Sequence, residues 1–238
     1  MLPVYRTTEG VQNMEHNYST FNSCKEIFKK NGIVLIFSEG RCINEWHLRP
    51  LMKGTARLAL SSWQEGIPLR LLPTGINYQS FTSFGKNLHI NFGKIISSQS
   101  VEPSDSFGQS VQRFNETLKN ELVPLVYEIA KADLAKRKEL MEVPVSVFFK
   151  NLLALPAFLG MVIHWPLSIP AKQVARIYGG SNDHYDSILV SILFISYPIY
   201  LLLLACLLHP FIGYVSWLFA FLFMPFLGWC YLQVKQQF

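Results

Sequence analysis

The sequence predicts an α/β sheet flanked by helices, followed by C-terminal transmembrane helices. Three observations carry that expectation. Strand-like and helix-like runs alternate through the first hundred residues. Charge is unevenly spread: beyond Asp186 only Lys235 is charged. Two stretches without a charge, 187–208 and 211–232, are 22 residues each. At about 1.5 Å per residue either one crosses a hydrocarbon core of about 30 Å.

The elements follow in order. Residues 2–5 read as the end of a strand. Asn17-Tyr18-Ser19-Thr20 offers helix caps, and Phe21, Cys24, Ile27 and Phe28 recur at helical spacing until Asn31-Gly32 stops the helix. Residues 33–37, IVLIF, form a continuous apolar strand of the kind buried on both faces. A second helix spans about 51–65 and ends at Gly66. Residues 67–72 make another strand, interrupted by Pro68, and Leu88, Ile90 and Phe92 alternate with polar neighbours in a last one. After a polar loop at 97–108, Val111, Phe114, Leu118, Leu122, Leu125 and Ile129 form one helical stripe with a kink expected at Pro124. Its continuation carries Lys131, Lys136, Arg137 and Lys138, suited to anionic headgroups or to a solvated face.

The apolar stretch 145–169 is interrupted by Lys150, Pro156, His164 and Pro166. Its longest clean run, 151–163, suits a re-entrant or interfacial segment better than a span. The expected division is therefore an α/β domain at 1–142, a membrane-surface or re-entrant segment and linker at 143–186, and a two-helix transmembrane hairpin at 187–238. His209-Pro210 is the expected hairpin turn. Lys172, Arg176 and Lys235 flank the hairpin and place its ends on the cytoplasmic side.

Composition narrows the chemistry. Hydrophobic residues make up 50% of the chain and charged ones 16%, with a net charge of +5. That balance suits an anionic substrate or membrane face. Without interleaved basic and aromatic residues it does not suggest nucleic acid. Cys24, Cys42, Cys206 and Cys230 have no CxxC spacing, so neither a disulfide framework nor a metal site is expected. The opening residues, MLPVYR, do not read as a cleavable signal.

Loops at the carboxyl ends of strands in an α/β sheet are where ligands bind, and Ser38-Glu39-Gly40-Arg41 falls at such an end. Lys53 and Arg57, four residues apart, share a helix face, and Arg6 follows the strand at 2–5. Cations from three elements thus face one sheet edge, which is suitable chemistry for a phosphate: arginine binds its oxygens in pairs and lysine supplies a point charge. Glu39 either orients one of these cations or accepts a hydrogen bond from a substrate hydroxyl. An ordinary strand-to-turn junction with scattered surface charge is the alternative.

The stretch "LIFSEGRCINEWHLRPLMKGTARLAL" resembles the Phe-Pro-Glu-Gly block of the glycerolipid acyltransferases, the superfamily of lysophosphatidic-acid and glycerol-3-phosphate acyltransferases. "LPVYRTTEG" is similar to the preceding block, and "IPLRLLPTGINYQS" to a later block that lines the acyl side. The likeness runs over about 2–94. It implies an acyltransferase-like sheet and transfer of an acyl group from acyl-CoA or acyl-carrier protein to a glycerol phosphate or lysophospholipid hydroxyl. It also implies a place in phospholipid biosynthesis at the membrane, with the soluble domain facing the cytoplasm and no metal or redox cofactor. By the same resemblance Arg6, Lys53 and Arg41 hold phosphate, while Glu39 and Gly40 shape the acceptor pocket.

One departure is large. The family's catalytic unit is His-x4-Asp, in which histidine is the general base and aspartate orients it. None of the six histidines, His16, His47, His89, His164, His184 and His209, has an aspartate at that spacing. The catalytic pair is thus missing and the domain reads as N-terminally incomplete. A non-catalytic lipid-phosphate-binding or scaffold protein is the alternative function.

Overall fold

Helical runs dominate the folded chain. The computed structural model describes residues 16–41, 43–102, 104, 106–181 and 183–235. Their elements are helices α1 (His16–Lys29) and α2 (Lys53–Gln64), strands β1 (Thr74–Tyr78) and β2 (Leu88–Phe92), and helices α3 (Phe107–Leu122) and α4 (Leu134–Met141). A long C-terminal set follows: α5 (Val147–Gly179), α6 (Tyr185–Ile212), α7 (Val215–Leu218) and α8 (Met224–Val234), with a π-helical turn at Phe219–Phe223 joining the last two.

This corrects the predicted fold class. The described residues hold one sheet, of two strands, β1 and β2, and are otherwise mostly helical, so there is no α/β acyltransferase sheet. Two expected strands account for the difference. Residues 33–37 are not a strand: no other backbone segment among the described residues pairs with them. Ile33 is 95% exposed and Phe37 70%, the opposite of a strand buried on both faces. An apolar run records only that a segment is fit to be buried; pairing requires a partner strand that the run itself does not specify. Residues 67–72 make one isolated antiparallel bridge, Leu71 to Ile96, and Pro68 and Pro73 supply no N–H to extend it. The strand expected at 2–5 lies outside the described residues.

Other boundaries match the chemistry that set them. α1 stops where Asn31 takes a left-handed φ of 57°, a conformation that asparagine tolerates. α2 stops before Gly66, whose φ is 75°. At Pro124 the predicted kink is an ending: α3 closes at Leu122 and passes into a 3-10 turn, Val123–Leu125.

The chain forms two compact units. The first comprises the described residues up to 77, apart from 43–45, together with 90–128. Its core is Ala56 and Ala59 of α2 against Val111, Phe114, Leu118 and Leu122 of α3, with Ile96 and Leu125. Trp63 packs on Phe114 with ring centroids 5.9 Å apart and donates its indole N–H to the Leu69 carbonyl. Asn77 closes the far side, donating to the Leu125 carbonyl at 2.9 Å and accepting the Tyr127 N–H at 2.8 Å. Lys25, almost fully buried on α1, is neutralised by Glu65 just beyond α2, so the buried amine is not left unpaired.

The second unit holds 43–45, 78–89 and 129–235, and its main part is a helical bundle. Val147–Gly179, Tyr185–Ile212 and Val215–Val234 are each long and apolar enough to cross a membrane, so this is a membrane protein. From residue 147 onward the interrupted stretch 145–169 lies within the single 33-residue helix α5, which continues through Pro156, Pro166 and Pro170. His209 and Pro210 lie inside α6, and the chain turns instead at Gly213, with φ 57°. α5 and α6 are antiparallel neighbours: His164 meets Tyr197, and Tyr200 donates to the Ile163 carbonyl. Pro166 cannot offer an N–H to the Val162 carbonyl, and these polar side chains gather beside that defect. α5 and α8 touch backbone to backbone. A Cβ on Gly160 would sit 2.1 Å from the Leu227 carbonyl oxygen, the close approach that small residues permit between membrane helices.

Candidate anion-binding segment

The Glu-Gly turn is folded back onto the first turn of α2. The Gly40 N–H donates to the Phe37 carbonyl at 3.2 Å, and Gly40 takes a φ of 66°. A side chain there would be strained by the backbone and would meet Met52 Cγ at 3.0 Å. The Met52 N–H donates to the Ser38 carbonyl at 2.8 Å, and the Ser38 and Thr55 hydroxyls lie 2.9 Å apart. Glu39 Oε1 accepts the Arg49 backbone N–H at 2.9 Å. Together these bonds draw Ser38–Gly40 and residues 49–55 into one closed loop at the start of α2.

Each expected site residue can now be placed. Glu39 has a structural role, holding the loop through Arg49, and orients no cation through any bond found among the described residues. Gly40 shapes the turn. Arg41 is exposed one residue beyond it; Lys53 and Arg57 are exposed on the first two turns of α2. No ion pair engages Arg41, Lys53 or Arg57 among the described residues. Arg41 and Lys53 therefore lie on the two chain segments that the Ser38–Met52 bond ties together. Arg6 lies outside the described residues.

The electrostatics favour an anion. The first amides of a helix have no intrahelical acceptor, and the dipole adds positive potential. α2 has no side-chain cap, its first turn holds no acidic residue, and the space where a Gly54 side chain would stand is open. Reasoning from sequence missed the pairing of Ser38 with Thr55, whose hydroxyls fix the turn to the helix; the available signal was a small polar residue after a strand-like run together with a threonine in a first helical turn. An open groove of about 310 Å³, lined by Leu60, Trp63, Val101 and Glu102 among others, sits at the other end of α2 and is separate from these cations. No group of three or more His, Cys, Asp or Glu side chains among the described residues is placed to hold a metal.

No family model matches the chain, and neither a curated protein nor a solved structure matches it.

Proposed function

We propose that this membrane protein binds the phosphate of a glycerol phosphate or lysophospholipid at Arg41 and Lys53, as an acyltransferase-like protein of phospholipid biosynthesis. The closure of the Glu-Gly turn onto the uncapped start of α2, beside cations with no acidic partner among the described residues, supports the reading most strongly. The order of the sequence blocks supports the acyl-transfer context, in which acyl-CoA or acyl-carrier protein is the donor. In this reading the phosphate-binding unit faces the cytoplasm, the compartment of such donors. A second reading, phosphate binding without turnover, is favoured by one observation: no histidine carries an aspartate at the His-x4-Asp spacing.

Titration of the purified chain with lysophosphatidate and lysophosphatidylcholine tests the site. Lysophosphatidate, with its phosphomonoester, binds more tightly. Arg41→Ala or Lys53→Ala each weakens it by about 1.5–3 kcal/mol, the range for a lost charged hydrogen bond. Unchanged affinity in both folded variants contradicts the assignment. Supplying an acyl thioester in the same assay separates the two readings: turnover supports the enzyme, and binding alone supports the non-catalytic protein.

A further inference from the structure

The end of the bundle where α5 and α8 finish carries Lys172, Arg176 and Lys235. Gly228 of α8 faces the His164 ring of α5, so the two helices can be counted from a common level. Lys235 is seven residues past Gly228 and Lys172 eight past His164, about 10 and 12 Å further along. The two lysines therefore lie at one level, and Lys172 is close enough for its charge to act on Lys235.

Lys235 is only half exposed and donates to the Phe84 carbonyl at 3.1 Å. Its amine is held below the usual lysine range, first by burial and then by the charge of Lys172. Two ammonium groups so placed call for a counter-charge, yet no carboxylate pairs with Lys172, Arg176 or Lys235 among the described residues. Asp186, at the same end of α6, is engaged by Lys86, and Asp183 accepts the Asn44 N–H.

Depth identifies the missing anion. From exposed Tyr214, at the opposite turn, to Lys235 is 21 residues, or about 31 Å of helix, close to the thickness of a hydrocarbon core. Trp165 and Trp229, both exposed, stand about one to two turns inside Lys235, where aromatic side chains mark the interface. The amines are thus at the depth of lipid phosphates, with apolar helix surface beneath them to receive acyl chains.

We propose that Lys172 and Lys235, with Arg176 one turn further along α5, bind the headgroup phosphate of an anionic membrane lipid. The site lies in the bundle and does not depend on the phosphate site at α2. An ordinary bilayer lipid, rather than free phosphate, is the occupant, because the amines stand at phosphate depth above exposed apolar residues of α5 and α8 such as Val162, Trp165, Phe226 and Trp229.

The full chain in nanodiscs of phosphatidylcholine, alone or with phosphatidylglycerol, tests this, with retained lipid counted after detergent exchange. The wild type retains phosphatidylglycerol in preference to phosphatidylcholine. Lys172→Gln/Lys235→Gln lowers that retention at least tenfold, whereas Lys150→Gln, near the opposite end of α5, leaves it unchanged. If the double variant does not fold, Lys172→Gln alone, at an exposed side chain, must still reduce retention severalfold. Equal retention of the two lipids by the wild type, no loss in the folded variants, or full displacement by inorganic phosphate overturns the proposal. Lysophosphatidate binding at Arg41 and Lys53 is unaffected by these substitutions, so failure here is distinct from failure of the α2 site.

Discussion

Glu39 was expected to face a substrate or orient a cation, and instead holds its own loop. Its bond to the Arg49 N–H spans ten residues and sets where Arg41 and Lys53 stand. Spacing along a sequence locates a carboxylate near cations but does not record which donor it meets, and a nearby backbone N–H won. Glu39→Gln keeps an acceptor oxygen and should leave stability within about 0.5 kcal/mol. Glu39→Ala removes it and should cost about 1–2 kcal/mol in denaturant unfolding while weakening lysophosphatidate binding indirectly. Equal stability of the two variants would show that the bond contributes nothing. Gly40 was legible for a plainer reason: a Glu-Gly turn after an apolar run demands a left-handed residue, and its φ is 66°.

At the level of elements, the helices were legible and most strands were not. Helix α2 was readable from its apolar spacing and from Gly66; α3 from the stripe that became its core face. Those signals are local, since a helix satisfies its own backbone. A strand is completed by a partner, and residues 33–37 have none among the described segments, whatever their β propensity. Helix α5 was obscured by Lys150, Pro156, His164 and Pro166, which break its apolar run, and each proline also removes one backbone bond; the helix continues because α6 and α8 pack along it and polar side chains gather at the Pro166 defect. Gly160 is the point of closest approach. Gly160→Leu should force α5 and α8 apart and cost about 1–3 kcal/mol, read as a lower melting temperature in detergent. A melting temperature equal to wild type would mean that the two backbones do not meet there.

At the scale of the whole molecule, composition carried the membrane reading: two long uncharged runs were sufficient, and a third helix joins them. The candidate anion-binding segment was only partly legible, because its cations are visible in the sequence while the closed loop at the start of α2 is a tertiary feature. Crossing of the bilayer by Val147–Gly179, Tyr185–Ile212 and Val215–Val234 is the central claim, and cysteine accessibility in sealed vesicles tests it most directly. With Cys24, Cys42, Cys206 and Cys230 replaced by serine, single cysteines go at Val147, Tyr178, Tyr214 and Lys235, residues near the ends of the three spans. An impermeant maleimide should label Val147→Cys and Tyr214→Cys from one side and Tyr178→Cys and Lys235→Cys from the other. Labelling of positions 147 and 178 from the same side, or of 214 and 235 from the same side, would contradict the three-span bundle.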